Sequence, residues 1–219
     1  MKIHIISIFP ESFNSFFETS IIKKAKDKKL FEVFLYKLND FSNKKFKHVD
    51  DKAYWMHWQV ISPEPLKKAI EHIFWKLWWK IPIIYMSPSW DILTQRKIEK
   101  YYNKLKDKEF IIICWHYEWI DQRIIDLYID YKISIWKYIL TSWELASQVF
   151  LDALIRLIPW VLGNPKSLEE ESFSKILNRQ KEYPVYTRPE IFMWLKVPKI
   201  LLSWNHKEIK KWKFNNLWK

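Results

Sequence analysis

The stretch KIPIIYMSPSWDILTQRKIEKYYNKLKDKEFIIICW (residues 80–115) decides the fold of this 219-residue chain. It contains two short apolar runs, KIPIIYMS (80–87) and EFIIICW (109–115), which are typical of buried strands. Between them, QRKIEKYYNKL (95–105) has its apolar residues at helical spacing. Because parallel strands need a crossover connection, usually a helix, this unit predicts two parallel strands joined by a helix.

The same alternation continues on both sides of this unit. Further runs typical of strands are KIHIISIF, FEVFLYKL and YILTS. Further helical patterns are SIIKKAKDKK, PLKKAIEHIF, WIDQRIIDLYI and ELASQVFLDALIRLI, and a basic helix is expected to begin at HKEIKKWK. Strands that alternate with helices predict an α/β fold, with a parallel sheet and helices on both of its faces.

Composition and charge narrow the class of protein. Hydrophobic residues make up 49% of the chain, so a packed core is expected. The formal charge is 37 − 25 = +12, which favours a nucleic-acid partner, although a solvated basic surface is the alternative. Cys114 is the single cysteine, which fits a reducing cytoplasm. The longest apolar stretch carries Asp152 and Arg156, and the N-terminal run is soon interrupted, so neither a membrane span nor a signal peptide is expected.

The counts of glycine and tryptophan are abnormal. An ordinary chain of this length has about 15 glycines, whereas this chain has one, together with 15 tryptophans. Several tryptophans stand where turns are expected, among them Trp78, Trp90 and Trp204. Glycine opens positive φ and lets backbones approach closely, and tryptophan does neither.

This pattern leads to a hypothesis about the gene. Some bacterial lineages read UGA as glycine, and translation with a table that reads UGA as tryptophan would print Trp at those positions. Trp212, in the basic helical segment EIKKWK, is the expected exception. The other 14 tryptophans together with Gly163 would give 15 glycines, which is close to the ordinary count. The alternative is that the tryptophans are literal.

With glycine read for tryptophan, five segments in register resemble the bacterial tRNA (guanine-N1)-methyltransferase family, which belongs to the SPOUT class. The segments are VDDKAYW (49–55), SPSW (87–90), ICWHYEWID (113–121), ISIWKYILTSWELA (133–146) and EYPVYTRPE…LKVPKILLSWNHKEIKKWK (182–213). Single pieces are weak signals, whereas five in the family's order and spacing are strong. The resemblance spans almost the whole chain.

The resemblance implies an architecture that composition does not reveal. It implies a deep trefoil knot in the C-terminal part of the parallel sheet, and a small helical C-terminal domain. The implied domains are a knotted cofactor-binding domain (1–160), a linker (161–175) and a tRNA-binding domain (176–219), which looks short or truncated beside the family. It further implies tRNA as the substrate, an antiparallel homodimer, and magnesium dependence.

The methyl donor of the family is S-adenosylmethionine, which three loops hold. Here the loops would be Tyr85–Asp91, Cys114–Ile120 and Ser134–Trp143. Glycine suits such loops because adenine and ribose bind against the bare main chain. The alternative interpretation, without the resemblance, is that these apolar strand ends belong only to the hydrophobic core of the sheet. The cofactor positions that the resemblance implies are Pro88, Trp90, Trp115, Tyr117, Glu118, Ile135, Trp136, Lys137, Tyr138, Ile139, Leu140 and Trp143.

Two residues are the candidates for catalysis. Guanine N1 has to lose a proton as it gains a methyl group, so a carboxylate can act as base and a cation near O6 can stabilise the charge that develops. The resemblance assigns these roles to Glu171 in the linker and Arg156 on the long helix, with Glu170 as a neighbouring candidate for the base. The alternatives are a solvated acidic linker and an ordinary charge on a helix face.

Residues for the RNA are also implied by the resemblance. They lie at the guanine pocket, in the YTRPE segment and in the basic tail, which also contains Lys207 and Lys213; for the tail, a solvated helix face is the alternative. The implied positions are Asp50, Asp51, Tyr54, Arg188, His206, Lys210 and Lys211. No Cys/His set has zinc spacing, so no protein ligands for a metal are predicted.

Two other functions stay open at this stage. The first is another SPOUT-class RNA methyltransferase, for instance one that modifies a ribose 2′-oxygen. The second is a non-catalytic RNA-binding module, which is favoured if the tryptophans are literal, because indoles at Trp115 and Trp136 would fill the cofactor pocket.

Overall fold

The computed structural model describes residues 1–55, 57–116 and 119–218. The chain divides into two compact units, Met1–Gly163 and Asn164–Lys219. This division falls inside the segment expected to be a linker, and residues 164–175 lie with the second unit.

The first unit contains a five-stranded sheet in which every neighbouring pair is parallel. The strands of this unit are β1 (Lys2–Ser7), β2 (Glu32–Lys37), β3 (Asp50–Lys52), β4 (Gln59–Ile61), β5 (Ile83–Met86), β6 (Glu109–Ile113), β7 (Trp119–Ile120) and β8 (Tyr131–Ile133). The order across the large sheet is β2-β1-β6-β5-β8. The predicted mixed α/β class and parallel sheet are therefore confirmed.

The helices of the first unit follow the predicted alternation. They are α1 (Asn14–Phe17), α2 (Ser20–Asp27), α3 (Pro63–Leu77), α4 (Gln95–Leu105), α5 (Gln122–Tyr128) and α6 (Trp143–Ile155). Short 3₁₀ turns occupy Pro10–Phe13, Leu38–Phe41 and Lys45–Lys47. The helix predicted to end at Pro159 ends at Ile155, and α6 packs against α4 and β5. None of the described helices is both long and apolar enough to cross a bilayer.

The strand predicted at YILTS (138–142) is wrong. The eighth strand lies earlier, at β8, where Ile133 is buried and pairs with Met86. Residues 138–142 form a loop in which Ile139 is exposed. A β-branched run favours a strand only where it finds a neighbouring strand to pair with, and this run has passed the edge of the sheet.

Isoleucine fills the core of the large sheet. The central strands carry apolar residues at consecutive positions because helices and loops cover both faces, which is usual for parallel strands. The fully buried members include Ile3, Ile5, Ile6, Ile83, Ile84, Ile111, Ile112 and Ile113.

A smaller sheet lies beside the first and has the order β3-β4-β7. Strand β3 pairs antiparallel with β4, and β4 pairs parallel with β7. This sheet holds the VDD segment close to the segment that follows β6.

The second unit has few buried side chains. Of the side chains described in it, only those of Ser174 and Leu177 are buried. Its elements are 3₁₀ turns at Pro165–Leu168 and Lys199–Leu202, an antiparallel hairpin of β9 (Ile191–Phe192) and β10 (Leu195–Lys196), and the helix α7 (His206–Asn215). The basic helix expected at HKEIKKWK is thus present, and the Asn205 side chain accepts a hydrogen bond from the amide of Glu208 at its start.

Three tryptophans adopt a backbone that favours glycine. Trp78, Trp160 and Trp204 have φ values of 64°, 71° and 56°, in the left-handed region that costs an L-residue about 1–2 kcal/mol. Gly163 has no positive φ, and a Cβ placed on it would meet no atom within 4 Å. Gly163 thus stands where glycine is not required, and three tryptophans stand where the backbone favours glycine, as it does at eight other described residues with positive φ.

Candidate active site

Three loops meet at one edge of the large sheet, because they follow the carboxyl ends of the neighbouring strands β5, β6 and β8. This edge is where open parallel sheets bind ligands. The first and third loops are joined by backbone hydrogen bonds. The amide of Ser87 donates to the carbonyl of Ile133 at 2.9 Å, and the amide of Leu93 donates to the carbonyl of Ser134 at 2.7 Å.

The second loop is joined to the others through Trp115. Its indole is 4% exposed, and its Nε1 donates to the carbonyl of Met86 at 2.7 Å. Its carbonyl accepts from the amide of Trp143 at 3.3 Å, and the two rings stack with centroids 4.9 Å apart. Trp143 is 3% exposed. Two indoles therefore occupy the space between the loops.

An open pocket of about 770 Å³ adjoins the stacked indoles. His116 and Thr141 also line it, together with residues of the segment that leads into β4. Five of the predicted cofactor positions are brought together around it, namely Pro88, Trp115, Ile139, Leu140 and Trp143.

Of the other predicted cofactor positions, those that the structure describes are not among the side chains that line this pocket. Trp90 is exposed, with the Lys132 Nζ 4.4 Å from the centroid of its ring. The carbonyl of Trp136 accepts a hydrogen bond from the Ser134 hydroxyl at 2.9 Å. Ile135, Lys137 and Tyr138 lie in the same loop, while Tyr117 and Glu118 lie outside the described residues.

A buried polar cluster beneath the pocket was missed from the sequence. The Ser7 hydroxyl donates to Glu144 Oε1 at 2.6 Å, and the Cys114 thiol donates to the Ser147 hydroxyl at 3.0 Å. Burial raises the pKa of the Cys114 thiol, and the nearby Glu144 carboxylate adds to the effect, so this cysteine is not poised as a nucleophile. An acidic residue at the start of the apolar helix α6 was the available signal.

A second open pocket, of about 820 Å³, lies between β3 and α5 and includes the predicted substrate residues Asp51 and Tyr54. Lys44 Nζ donates to Asp51 Oδ2 and to the Asp50 carbonyl, each at 2.8 Å. The hydrogen bond from Lys44 lowers the pKa of Asp51, so this carboxylate is charged at neutral pH. Arg123, on the other wall, forms two hydrogen bonds with Asp121.

The two predicted catalytic residues belong to different units. Arg156 is half-buried at the C-terminal end of α6, where its amide donates to the Asp152 carbonyl at 3.2 Å. Glu171 is half-buried in the second unit. Its neighbour Glu170 is exposed and accepts hydrogen bonds from Tyr183 and Lys213, each at 2.6 Å.

The predicted phosphate contacts lie on an exposed face of the second unit. The side chains of His206, Lys207, Lys210 and Lys211 on α7 are exposed, and so is that of Arg188. Lys213 is different, because it is half-buried and paired with Glu170. The part of α7 that faces solvent is therefore strongly basic.

A parallel sheet that gathers three loops around a pocket at its carboxyl edge defines an α/β protein with a ligand site at the strand ends. The family model described as "tRNA (Guanine-1)-methyltransferase TrmD" matches residues 1–218. The chain belongs to this family.

Individual relatives agree with this assignment. The chain is 43% identical over 215 residues to the tRNA (guanine-N(1)-)-methyltransferase of Clostridioides difficile, covering 97% of this chain and 90% of the relative. It is 45% identical to that of Borrelia garinii, covering 97% of this chain and 86% of the relative. The crystal structure of tRNA (m1G37) methyltransferase from Aquifex aeolicus superimposes with a TM-score of 0.78 at 30% identity, covering 98% of this chain and 88% of that one.

Proposed function

We propose that this protein is an S-adenosylmethionine-dependent enzyme that methylates N1 of the guanine directly 3′ of the tRNA anticodon, position 37. The observation that carries the proposal is that loops from separate segments of the family resemblance converge on one pocket at the carboxyl edge of the sheet. The family assignment supports the same reaction.

The printed side chains do not leave room for the donor between the loops. The stacked rings of Trp115 and Trp143 fill that space, and Nε1 of Trp115 takes the Met86 carbonyl that a nucleoside could otherwise reach. With glycine at both positions, the carbonyls and amides of the three loops would face an open hollow.

The proposal therefore includes glycine at most of the tryptophan positions in the protein that the organism makes. Three printed tryptophans have the positive φ that glycine favours. Twelve have exposed indoles, which is unusual for so large an apolar side chain. Trp212, the expected true tryptophan, is neither buried nor fully exposed, and its ring lies beside that of Tyr186.

Glu171 and Arg156 carry the proposed chemistry. S-adenosylmethionine supplies an activated methyl group, so no enzyme nucleophile is required. Glu171 would accept the proton that N1 of the guanine loses when it is methylated. The guanidinium of Arg156 would stabilise the negative charge that develops at O6.

Several finer features belong to the same proposal. The basic face of α7, together with Arg188, would lie on tRNA phosphates. Asp50, Asp51 and Tyr54 would hold the guanine. The proposal further includes a trefoil knot, a homodimer, a small helical tRNA-binding domain and a cytoplasmic location, and family membership supports these features. In the described part of the chain no three carboxylate, imidazole or thiol groups cluster as metal ligands, and magnesium dependence stays a prediction.

The codons at the tryptophan positions test the glycine part of the proposal. We expect UGA at 14 positions and UGG at Trp212. The intact mass of the protein purified from its own organism should then be lower than the printed mass by about 129 Da at each such position, the difference between indole and hydrogen side chains. UGG at Trp115 and Trp143 would contradict the proposal.

Methyl transfer tests the reaction itself. The glycine-bearing protein should transfer labelled methyl groups to a tRNA transcript with guanine at position 37 and not to one with adenine there. Digestion of the RNA should place the label on N1 of guanine. Label on a ribose 2′-oxygen would instead establish the other SPOUT-class reaction, and a folded protein that transfers nothing would leave only RNA binding.

Arg156→Ala tests the assigned cation. We expect the rate of transfer to fall by about 100-fold, the order found when one stabilising donor is removed, while binding of S-adenosylmethionine is unchanged. Arg96→Ala on α4 is the matched control, because Arg96 is an exposed arginine on a helix of the same unit. Equal rates for the two variants would remove the assigned role of Arg156.

A further inference from the structure

The second unit contains a cluster of three side chains that the proposed reaction does not use. Glu170 Oε2 accepts hydrogen bonds from the Tyr183 hydroxyl and from Lys213 Nζ, both at 2.6 Å. Lys213 Nζ also lies 4.7 Å from the centroid of the Tyr183 ring. We refer to Glu170, Tyr183 and Lys213 as the clamp.

The clamp joins three segments that are distant in the sequence. Beside it, the Ser172 hydroxyl accepts from the Glu182 amide at 3.1 Å, and the Phe173 amide donates to the Gln180 carbonyl at 2.7 Å. Segments 170–173 and 180–183 therefore run side by side, and Lys213 ties both to α7.

Lys213 lies on a different face of α7 from the exposed lysines. Ile209, Trp212 and Lys213 are half-buried and share one face, as residues three and four apart do on a helix. Lys207, Lys210 and Lys211 are exposed. One helix thus presents three cations to solvent and turns a fourth towards Glu170.

We propose that Lys213 and Tyr183 are positioning residues, which hold Glu170 and thereby fix its neighbour Glu171 at a set place relative to the exposed lysines of α7. This inference rests on the proposed function, since it concerns the base of that reaction. When the exposed lysines bind the tRNA backbone, the clamp brings the base to a fixed distance from the bound phosphates.

The clamp also separates the two candidate bases. Hydrogen bonds from Lys213 and Tyr183 lower the pKa of Glu170, so that carboxylate is a weak proton acceptor. The clamp therefore gives Glu170 a positioning role, and the proposal keeps Glu171 as the base.

The test compares Lys213→Met with Lys211→Met on the same helix, using the glycine-bearing enzyme. Lys213→Met should lower kcat by about tenfold or more, because small displacements of a reacting group slow catalysis strongly. Its KM for S-adenosylmethionine should not change. Lys213→Arg should restore most of the rate, and Tyr183→Phe should lower kcat less. Lys211→Met should raise KM for tRNA, as the loss of a phosphate contact does.

The base assignment has its own comparison. Glu171→Gln should remove the acidic limb of the pH profile of kcat, whereas Glu170→Gln should keep that limb at a lower rate. If Glu170→Gln removes the limb, Glu170 is the base and the inference is overturned. It is equally overturned if Lys213→Met leaves kcat unchanged or alters only tRNA affinity as Lys211→Met does.

A second readout does not depend on activity. Trypsin should cleave after Lys175 and Arg179 faster in Lys213→Met than in Lys211→Met, because the clamp holds the segment that contains them. If the parent transfers no methyl group, the proposed function fails, yet this comparison still decides whether the clamp holds the segment. Equal cleavage rates in the two variants would overturn the clamp.

Discussion

The interior of the large sheet and the loops at its carboxyl edge differ in how well their side chains suit their positions. In β5 and β6, apolar residues fill consecutive buried positions, as is usual for parallel strands. In the loops and turns, the bulkiest side chain stands where close approach or positive φ calls for the smallest one. This contrast supports the proposal that glycine stands at these tryptophan positions in the protein that the organism makes.

The largest expected effect is on cofactor binding by the loops. Trp115→Gly combined with Trp143→Gly should strengthen binding of S-adenosylmethionine by about a hundredfold or more, which is two tenfold steps in Kd. Isothermal titration calorimetry measures this, and Trp194→Gly, an exposed position in the second unit, is the control. A folded double variant that binds no better than the control would contradict the pocket.

In the sheet, the same kind of truncation should act on stability instead. Ile112→Ala should lower the free energy of unfolding by about 2–5 kcal/mol, because Ile112 is fully buried and its loss leaves a cavity. Leu127→Ala on α5 is the control, since Leu127 is 75% exposed and its change should stay within about 0.5 kcal/mol. Urea unfolding gives both values, and similar losses would mean that the sheet is not the core.

A smaller effect on the free energy of unfolding distinguishes Trp78 from its neighbour Trp75. Trp78 ends α3 with φ of 64°, whereas Trp75 lies within the helix, and the two rings touch each other. Trp78→Gly should raise the free energy of unfolding by about 1 kcal/mol through relief of the left-handed backbone. Trp75→Gly should lower it by about 0.5–1 kcal/mol, because glycine weakens a helix interior. Both lose the same ring contact, so shifts of the same sign would refute the argument from φ.

The smallest expected effect is on how the free energy of unfolding depends on pH. Burial lowers the pKa of His4 below its ordinary value of 6.5, although Glu109 at 3.1 Å opposes this. The unfolded chain therefore binds a proton at His4 more readily than the folded chain, and the free energy of unfolding should fall as pH decreases below 6.5. His4→Phe should flatten this dependence, and His206→Ala, at an exposed position, should not.

A carboxyl group, that of Glu109, changes stability at lower pH than His4 does. Burial favours the neutral form of Glu109, but hydrogen bonds from His4 and Lys2 outweigh it and hold the pKa of Glu109 below 4.5. Its contribution is present above that value and is lost as pH falls further. Unfolding curves on either side of 6.5 and of 4.5 therefore separate the two groups.

Much of the fold could be predicted because it depends on local pattern. The periods of QRKIEKYYNKL and of the isoleucine runs predicted α4, β5 and β6. The failure at YILTS has a physical reason, since pairing at the sheet edge is a tertiary matter. Glu170 and Lys213 are 43 positions apart, and the contact between them depends on the path of the chain, which no local pattern gives.

The candidate site could be predicted only through the family resemblance. No spacing rule places Pro88, Trp115 and Trp143 around one pocket, because each follows a different strand or precedes a helix. The Ser7–Glu144 hydrogen bond was missed for a related reason. A buried carboxylate at the start of a helix looks, in sequence, like an ordinary favourable charge beside the helix N-terminus.

The position of Trp55, just after β3, has a practical consequence. If its codon is UGA, a cell that uses the standard code stops translation there and releases a fragment that ends at Tyr54. That fragment contains β1, β2 and β3 and lacks the central strands β5 and β6 as well as every loop of the pocket. The gene would then yield no full-length protein in bacteria that use the standard code. Recombinant production would require each UGA codon to be replaced by a standard glycine codon.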